Sequence, residues 1–417
     1  MGKTEKLFTK NFTFLMLGQI FSLIGNYTLK FALSMYVLEQ TGSASVFGTL
    51  LAIATVPAVI LGPFGGVMAD RLNRRNMMVA LDFLSGTAVL AAFLLMGENM
   101  SMFLVGALQI VLAVLGAFES PVVQACVPQM QRGENLLKGN AAVNQVQALA
   151  GLVTPFTGSL FYAAFGIRPV LFGAAVCFFL TAFLEHFIQL PCRKRGNEEK
   201  EGIWNMICAD FGDSGRFLLR EEPQVLKLLL LAALASFFVV GTAIVGLPYL
   251  VRTVLGLSAE HYGAAESAMG AAAVAGGILS GVLAGRLQMS RLYRLLIFAG
   301  ICLLPAGMMF LLPVNAFGRY LVVLLCFCAV QAAAAVFSVM SLSMIQERTP
   351  AELTGKIMAF VITFSTCAQP LGQLIYGLLF DAFTQAVWVV LAVTGLAVIC
   401  LGVSFRGLFL SFHKSQR

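Results

Sequence analysis

The 417-residue chain is 59% hydrophobic and only 11% charged, with a mean hydropathy of +0.88. A soluble protein would be about 25% charged, so water is not the main solvent and a large soluble domain is excluded. The net charge of +7 does not mark a nucleic-acid binder, because the basic residues sit at the ends of apolar stretches and form no patch.

The chain opens with Lys3, Lys6 and Lys10 and runs into a long apolar stretch with no small-residue cleavage site, which predicts a retained first span. Further apolar stretches follow, giving 11–38, 45–69, 77–96, 101–124, 139–165, 168–190, 224–251, 259–284, 292–312, 316–345, 355–380 and 385–410. A hydrocarbon core of ~30 Å needs about 20 apolar residues per helix, so these read as twelve transmembrane helices of an all-α membrane protein. Taking the connecting segments alternately, one set holds Arg71, Arg74, Arg75, Arg132, Lys138, Arg286, Arg291, Arg294, Arg348 and Lys356, while the other holds only Arg168, Arg252 and Arg319. Lys and Arg near span ends resist translocation, so both termini are expected on the cytoplasmic side of the plasma membrane.

The interval 191–223 carries RKRGNEEKE and then Ile203, Trp204, Met206, Ile207 and Phe211. It reads as a cytoplasmic linker with an amphipathic helix, between a six-helix bundle at 1–190 and another at 224–417. The halves also repeat. A shift of 215 positions sets Ser43, Gly48, Gly62, Gly66 and Arg71 beside Ser258, Gly263, Gly277, Gly281 and Arg286. Two pseudo-symmetric bundles around a midplane cavity are a transporter design, because rocking one against the other opens the cavity to alternate sides. Glycines in GxxxG spacing, Gly62 with Gly66 and Gly277 with Gly281 and Gly285, are expected to serve close helix packing.

Several spans carry polar stripes that lipid would penalise and a cavity would tolerate. Gln19, Ser22, Asn26 and Lys30 share a face of span 1; Asn140, Asn144, Gln147, Gly151 and Thr154 share one of span 5; Thr366, Gln369, Gln373 and Tyr376 share one of span 11. Gln109 in span 4 and Gln331 in span 10 extend the set. These residues are expected to line a mostly apolar pathway for a small-molecule substrate. The competing readings are hydrogen bonds inside a bundle for the amides and snorkelling to the outer interface for Lys30.

Proton coupling requires a carboxyl group whose ionisation a buried site can control. Glu119 and Glu266 are the first choices; Asp82 is expected to brace Arg71 or Arg75, and the Glu185–His186 pair to be interfacial. No GxxxxGK[ST] phosphate loop, HExxH metal motif or GxSxG elbow occurs, so neither ATP-driven pumping nor enzyme chemistry is supported. The nine cysteines lack CxxC pairing and metal-ligand spacing. No cofactor is expected; the energy source is read as an ion gradient, and the protein as a monomer.

The most specific string is GGVMADRLNRR at 65–75. It resembles the first cytoplasmic loop of the major facilitator superfamily, roughly G-x-L-A-D-R-x-G-R-[RK]: Gly66, Ala69, Asp70, Arg71, Arg74 and Arg75 fit, while Met68 and Asn73 replace Leu and Gly. The resemblance implies that Gly66, Asp70, Arg71, Arg74 and Arg75 form a cytoplasmic gate loop, with Asn73 able to take a left-handed turn. Together with LGQIFSL at 17–23, YVLEQTGSA at 36–44 and GAFESPVVQACVP at 116–128, it is similar to macrolide-efflux-type drug exporters. That implies export of an amphipathic or hydrophobic compound by proton antiport. Two places depart from the proton-coupled drug exporters: Ala113 stands where many have a span 4 arginine, and GLVTPFTG at 151–158 alters the Gly-Pro signature of span 5. The alternatives are a dedicated exporter of a siderophore or lipid-like metabolite, which a cavity-facing Lys30 would suit, and a non-transporting receptor of the same fold.

Overall fold

The computed structural model describes residues 7–97, 100–132, 134–190, 217–283, 291–350 and 353–414. The linker stretch 191–216, on which the expected amphipathic helix falls, lies outside them. Six helices come first: α1 (Lys10–Thr41), α2 (Ala44–Arg71), α3 (Arg74–Leu95), α4 (Met102–Met130), α5 (Glu134–Phe165) and α6 (Ile167–His186). They are followed by α7 (Pro223–Val254), α8 (Ala259–Leu283), α9 (Tyr293–Met308), α10 (Ala316–Arg348), α11 (Thr354–Ala382), α12 (Val387–Ser404) and a short amphipathic α13 (Arg406–Lys414). Ten stretches among the described residues are long and apolar enough to cross a membrane, α9 is a shorter apolar helix, and α11 covers the eleventh apolar stretch.

Polar side chains start the helices where the sequence turns. Ser101 caps α4 by accepting from the Leu104 N–H at 3.2 Å, and Asn315 caps α10 by accepting from Gly318 at 2.8 Å. Large apolar side chains then point outward along the shafts; Phe103 is 87% exposed and Leu325 68%. Such surfaces are stable only against acyl chains, which also means that the hydrophobic effect gives the helices no reason to associate. Close packing has to do that work instead.

The described helices form two compact units: Met1–Gln40 with Ile53–Glu199, and Thr41–Ala52 with Lys200–Arg417. In the first, α3 packs against α4 and α6, and Phe12, Leu15, Met78, Val122, Cys126 and Ile188 join in a buried cluster. Pro121 lacks the N–H that would bond the Ala117 carbonyl, and Gly65 of α2 closes on that oxygen: a Cβ there would sit 2.5 Å from it.

The second unit uses close glycine contacts repeatedly. Gly300 of α9 meets Gly395 of α12, Gly276 of α8 meets Ala332 of α10, and Gly241 of α7 meets Gly372 of α11. Within α7 the turns Ser236–Val240, Thr242–Gly246 and Leu250–Val254 widen to π-helix, an irregularity that fits Pro248, which gives the ladder no N–H. The expectation that Gly62, Gly277 and Gly281 make close contacts is not met, since a Cβ at any of them would find no atom within 4 Å. Period alone identified glycine-rich faces but not the register at which a neighbouring backbone arrives.

The second unit also holds the start of α2. Asp381 at the end of α11 accepts from Ser43 Oγ at 2.6 Å and from the Ala44 and Ser45 N–H groups at 2.7 and 2.9 Å. An anion satisfying the free amides of a helix N-terminus is a strong cap. Asp381→Ala should therefore cost about 1 kcal/mol, within the range of about 0.5–2 kcal/mol for losing a cap. Thermal unfolding of the purified protein measures this, and an unchanged midpoint would show the contact to be energetically idle.

Candidate functional site

Four helices of the first unit bring three carboxyl groups together, two of them on one hydroxyl. Along α1, Gly18, Ser22 and Gly25 recur at i, i+4 and i+7, a small-residue seam that lets another helix approach closely. The partner is α6. A Cβ at Gly18 would lie 3.4 Å from the side chains of both Glu185 and Thr181, and one at Gly25 would lie 3.0 Å from Cys177. Thr181 Oγ1 lies 3.1 Å from the Gly18 carbonyl of α1 and 3.0 Å from the Cys177 carbonyl of its own helix, a shared contact that marks the register of the two helices.

That register carries Ser22 to α3 and α4, where its Oγ lies 3.1 Å from Asp82 Oδ1 and 3.1 Å from Glu119 Oε1. The Glu185 carboxyl adjoins that of Asp82. Asp82 and Glu185 are 0% exposed and Ser22 2%, whereas Glu119 is only partly buried. Apart from this carboxyl–carboxyl contact, Asp82 Oδ2, both Glu185 carboxyl oxygens and Gln19 Nε2 are buried with no other hydrogen-bond partner. Among the described residues no lysine, arginine or histidine reaches ion-pair distance of the three carboxyls. Three such groups in a low-dielectric interior cannot all be ionised, because each negative charge raises the cost of the next.

Two expectations are corrected here. Asp82 does not brace Arg75, whose guanidinium instead donates to the His186 carbonyl; the Arg71 side chain lies outside the described residues. Glu185 is not interfacial but fully buried, while its neighbour His186 is exposed. Nothing in the sequence of span 3 or span 6 shows that α3 and α6 pack side by side. The available signal was the Gly18–Ser22–Gly25 seam, which marks the face of α1 that another helix must meet.

The remaining candidates are dispersed. On α1, Gln19 is buried in the first unit, Asn26 half-buried, and Lys30 exposed. Gln109 on α4 is half-buried with its Oε1 unpartnered, Asn144 on α5 is exposed, and Gln147 is half-buried. In the second unit Glu266 lies one turn from Tyr262 on α8 and hydrogen-bonds it, Gln331 and Gln369 are half-buried, and Gln373 is buried. Thus Glu119 alone of the expected pathway residues joins the carboxyl cluster, with Gln19 a little under one turn from Ser22.

The family model described as Major Facilitator Superfamily matches residues 15–373. The chain belongs to the major facilitator superfamily. Its twelve-helix all-α fold is that of the superfamily: it superposes on the nucleoside transporter NupG with a TM-score of 0.77 at 11% identity, covering 96% of this chain and 99% of that one. A bacterial homologue of the iron transporter ferroportin, in an inward-facing state, gives 0.70 at 18% identity, with 95% and 98% covered. Macrolide efflux protein A of Streptococcus pyogenes is 23% identical over 392 residues, 93% of each chain. Multidrug resistance protein MdtG of Salmonella dublin is 30% identical over 190 residues, 43% of this chain and 44% of that one.

Of the loop shared with the superfamily, Gly66, Asp70 and Arg71 fall in the last turns of α2, and their side chains lie outside the described residues. Arg74 and Arg75 begin α3. Arg74 Nη1 donates to the Ala125 carbonyl at 2.6 Å, and Arg75 to His186, so both grip main-chain oxygens of the first unit. Asn73 is extended (φ −70°, ψ 107°) and caps α3 by accepting from the Asn76 N–H at 3.3 Å. It replaces the superfamily's usual glycine through its side-chain oxygen, where a left-handed turn had been expected. The chain is a multi-pass membrane protein of a transporter superfamily.

Proposed function

We propose that this protein exports an amphipathic or hydrophobic small molecule of the macrolide kind across the cell membrane in exchange for protons, by alternating access. The observation that carries the reading is the Asp82–Glu119–Glu185 cluster, buried in the first unit around Ser22 with no cation in ion-pair distance among the described residues. Such a cluster has to hold protons, and a proton antiporter needs a store it can load and discharge. Relatives named Macrolide efflux protein A, covering 93% of each chain, support the direction and the class of cargo. The alternation of basic connecting segments supports cytoplasmic termini. In this reading Asn26, Lys30, Gln109, Glu266 and the amides of α5, α10 and α11 belong to the pathway, the 65–75 loop is the gate, and the protein works as a monomer without a cofactor.

A second reading has its own observation. Lys30 is exposed and its ammonium group makes no hydrogen bond or ion pair among the described residues, which would suit an anionic siderophore or lipid-like metabolite. Vesicles containing the purified protein separate the readings. With an acidic interior they should accumulate labelled erythromycin above protein-free vesicles while the interior alkalinises faster. Accumulation of an anionic metabolite alone would favour the second reading, and specific binding with no flux under any gradient would replace both with a receptor.

A further inference from the structure

The Ser22 hydroxyl carries one hydrogen, yet its oxygen stands 3.1 Å from an Asp82 oxygen and 3.1 Å from a Glu119 oxygen. A hydroxyl donates once and accepts twice. If both contacts are hydrogen bonds, one carboxylate receives the serine's hydrogen and the other carboxyl donates its own to Ser22 Oγ. Two arrangements satisfy this, and they differ in which acid holds the proton.

They interconvert by a balanced double transfer. The Asp82 O–H bond breaks as a bond forms from that hydrogen to Ser22 Oγ, and the original Ser22 O–H bond breaks as its hydrogen joins Glu119. Serine is regenerated, one proton has passed from Asp82 to Glu119, and one negative charge has passed the other way. No oxidant, metal or co-reactant takes part.

Burial gives this exchange its purpose. Asp82 and Glu185 are 0% exposed, and Glu119 is the only partly buried member of the cluster. Ser22 meets Asp82 of α3 and Glu119 of α4, while Glu185 of α6 adjoins Asp82 and, with Thr181, packs at Gly18 one turn along α1. Arg74 and Arg75 bind the Ala125 and His186 carbonyls. Ser22 is the hydrogen-bonded link between Asp82 and Glu119. We propose that Ser22 is the proton relay connecting the partly buried Glu119 with the fully buried Asp82–Glu185 pair. The relay gives the proton-coupled reading above its path, and rests on that reading for its role.

The test needs no cargo. Infrared spectra of the full-length protein in lipid follow the protonated-carboxyl bands on transfer to deuterated water, with Asp82→Asn, Glu119→Gln and Glu185→Gln assigning each band. Ser22→Ala should slow exchange at Asp82 and Glu185 about 10²-fold, the scale of a lost proton-transfer group, and leave Glu119 at the wild-type rate. Ser22→Thr should restore the fast rate, which a packing role would not. If the alanine variant does not fold, Ser22→Cys keeps the volume with a much weaker donor and should show the same slowing. Exchange in these variants at the wild-type rate, or the absence of any protonated band that the Asp82 or Glu119 substitution removes, would overturn the relay. Slowed exchange in a protein whose vesicles show no gradient-driven flux would uphold the relay and remove the antiport reading; the reverse pairing would do the opposite.

Discussion

Vesicles containing the Asp82→Asn or Glu119→Gln protein are expected to lose gradient-driven accumulation of labelled erythromycin while still equilibrating it with no gradient imposed. One charge moved through ~100 mV supplies about 2.3 kcal/mol, enough for a roughly fiftyfold concentration ratio. Without a group that loads and releases the proton the ratio should fall to that of protein-free vesicles. The amide is close in shape to the protonated acid and keeps a hydrogen-bonding group for Ser22, so the fold should persist; replacing buried ionisable groups is often neutral or stabilising. Accumulation at the wild-type ratio in both variants would remove the cluster from the coupling mechanism.

The second large effect concerns assembly. Gly300→Val should leave little monodisperse protein, because even a Cβ at that position would stand 2.5 Å from the Gly395 carbonyl oxygen, 2.7 Å from Ile399 Cγ1 and 2.9 Å from the Ile399 amide. Backbone atoms cannot rotate away, so α9 and α12 must separate along their contact. Overpacking typically costs about 1–3 kcal/mol and more where backbone must move. Gly277→Val is the matched control: nothing lies within 4 Å of its Cβ position, and its unfolding midpoint should stay near that of the wild type. Equal behaviour of the two variants in size-exclusion and thermal-unfolding measurements would contradict the helix register described here.

These two expectations draw on different levels of information. Glu119 stood out from the sequence alone, as a carboxyl within an apolar run. Asp82 and Glu185 stood out equally but were assigned elsewhere, one to the basic loop and one to the membrane interface. An acid's partners on other helices leave no trace in its own segment. The small residues of α1 were the closest thing to a clue, since Gly18, Ser22 and Gly25 mark a face but do not name the helix that meets it. The same limit explains the glycines: GxxxG spacing found the faces, whereas the contacts fell at Gly65 and Gly276.

By itself the sequence determined the solvent, the number of spans, the helical class and, through the loop at 65–75, the superfamily. Each follows from local rules: how many apolar residues cross a bilayer, where charge interrupts them, and which short string recurs. Which acids share a hydroxyl, which glycines touch and where Asp381 finds its helix end were decided only by tertiary structure. In lipid, helix association rests on backbone register and single polar contacts, and a shift of one residue turns a side chain by about 100° to a different neighbour.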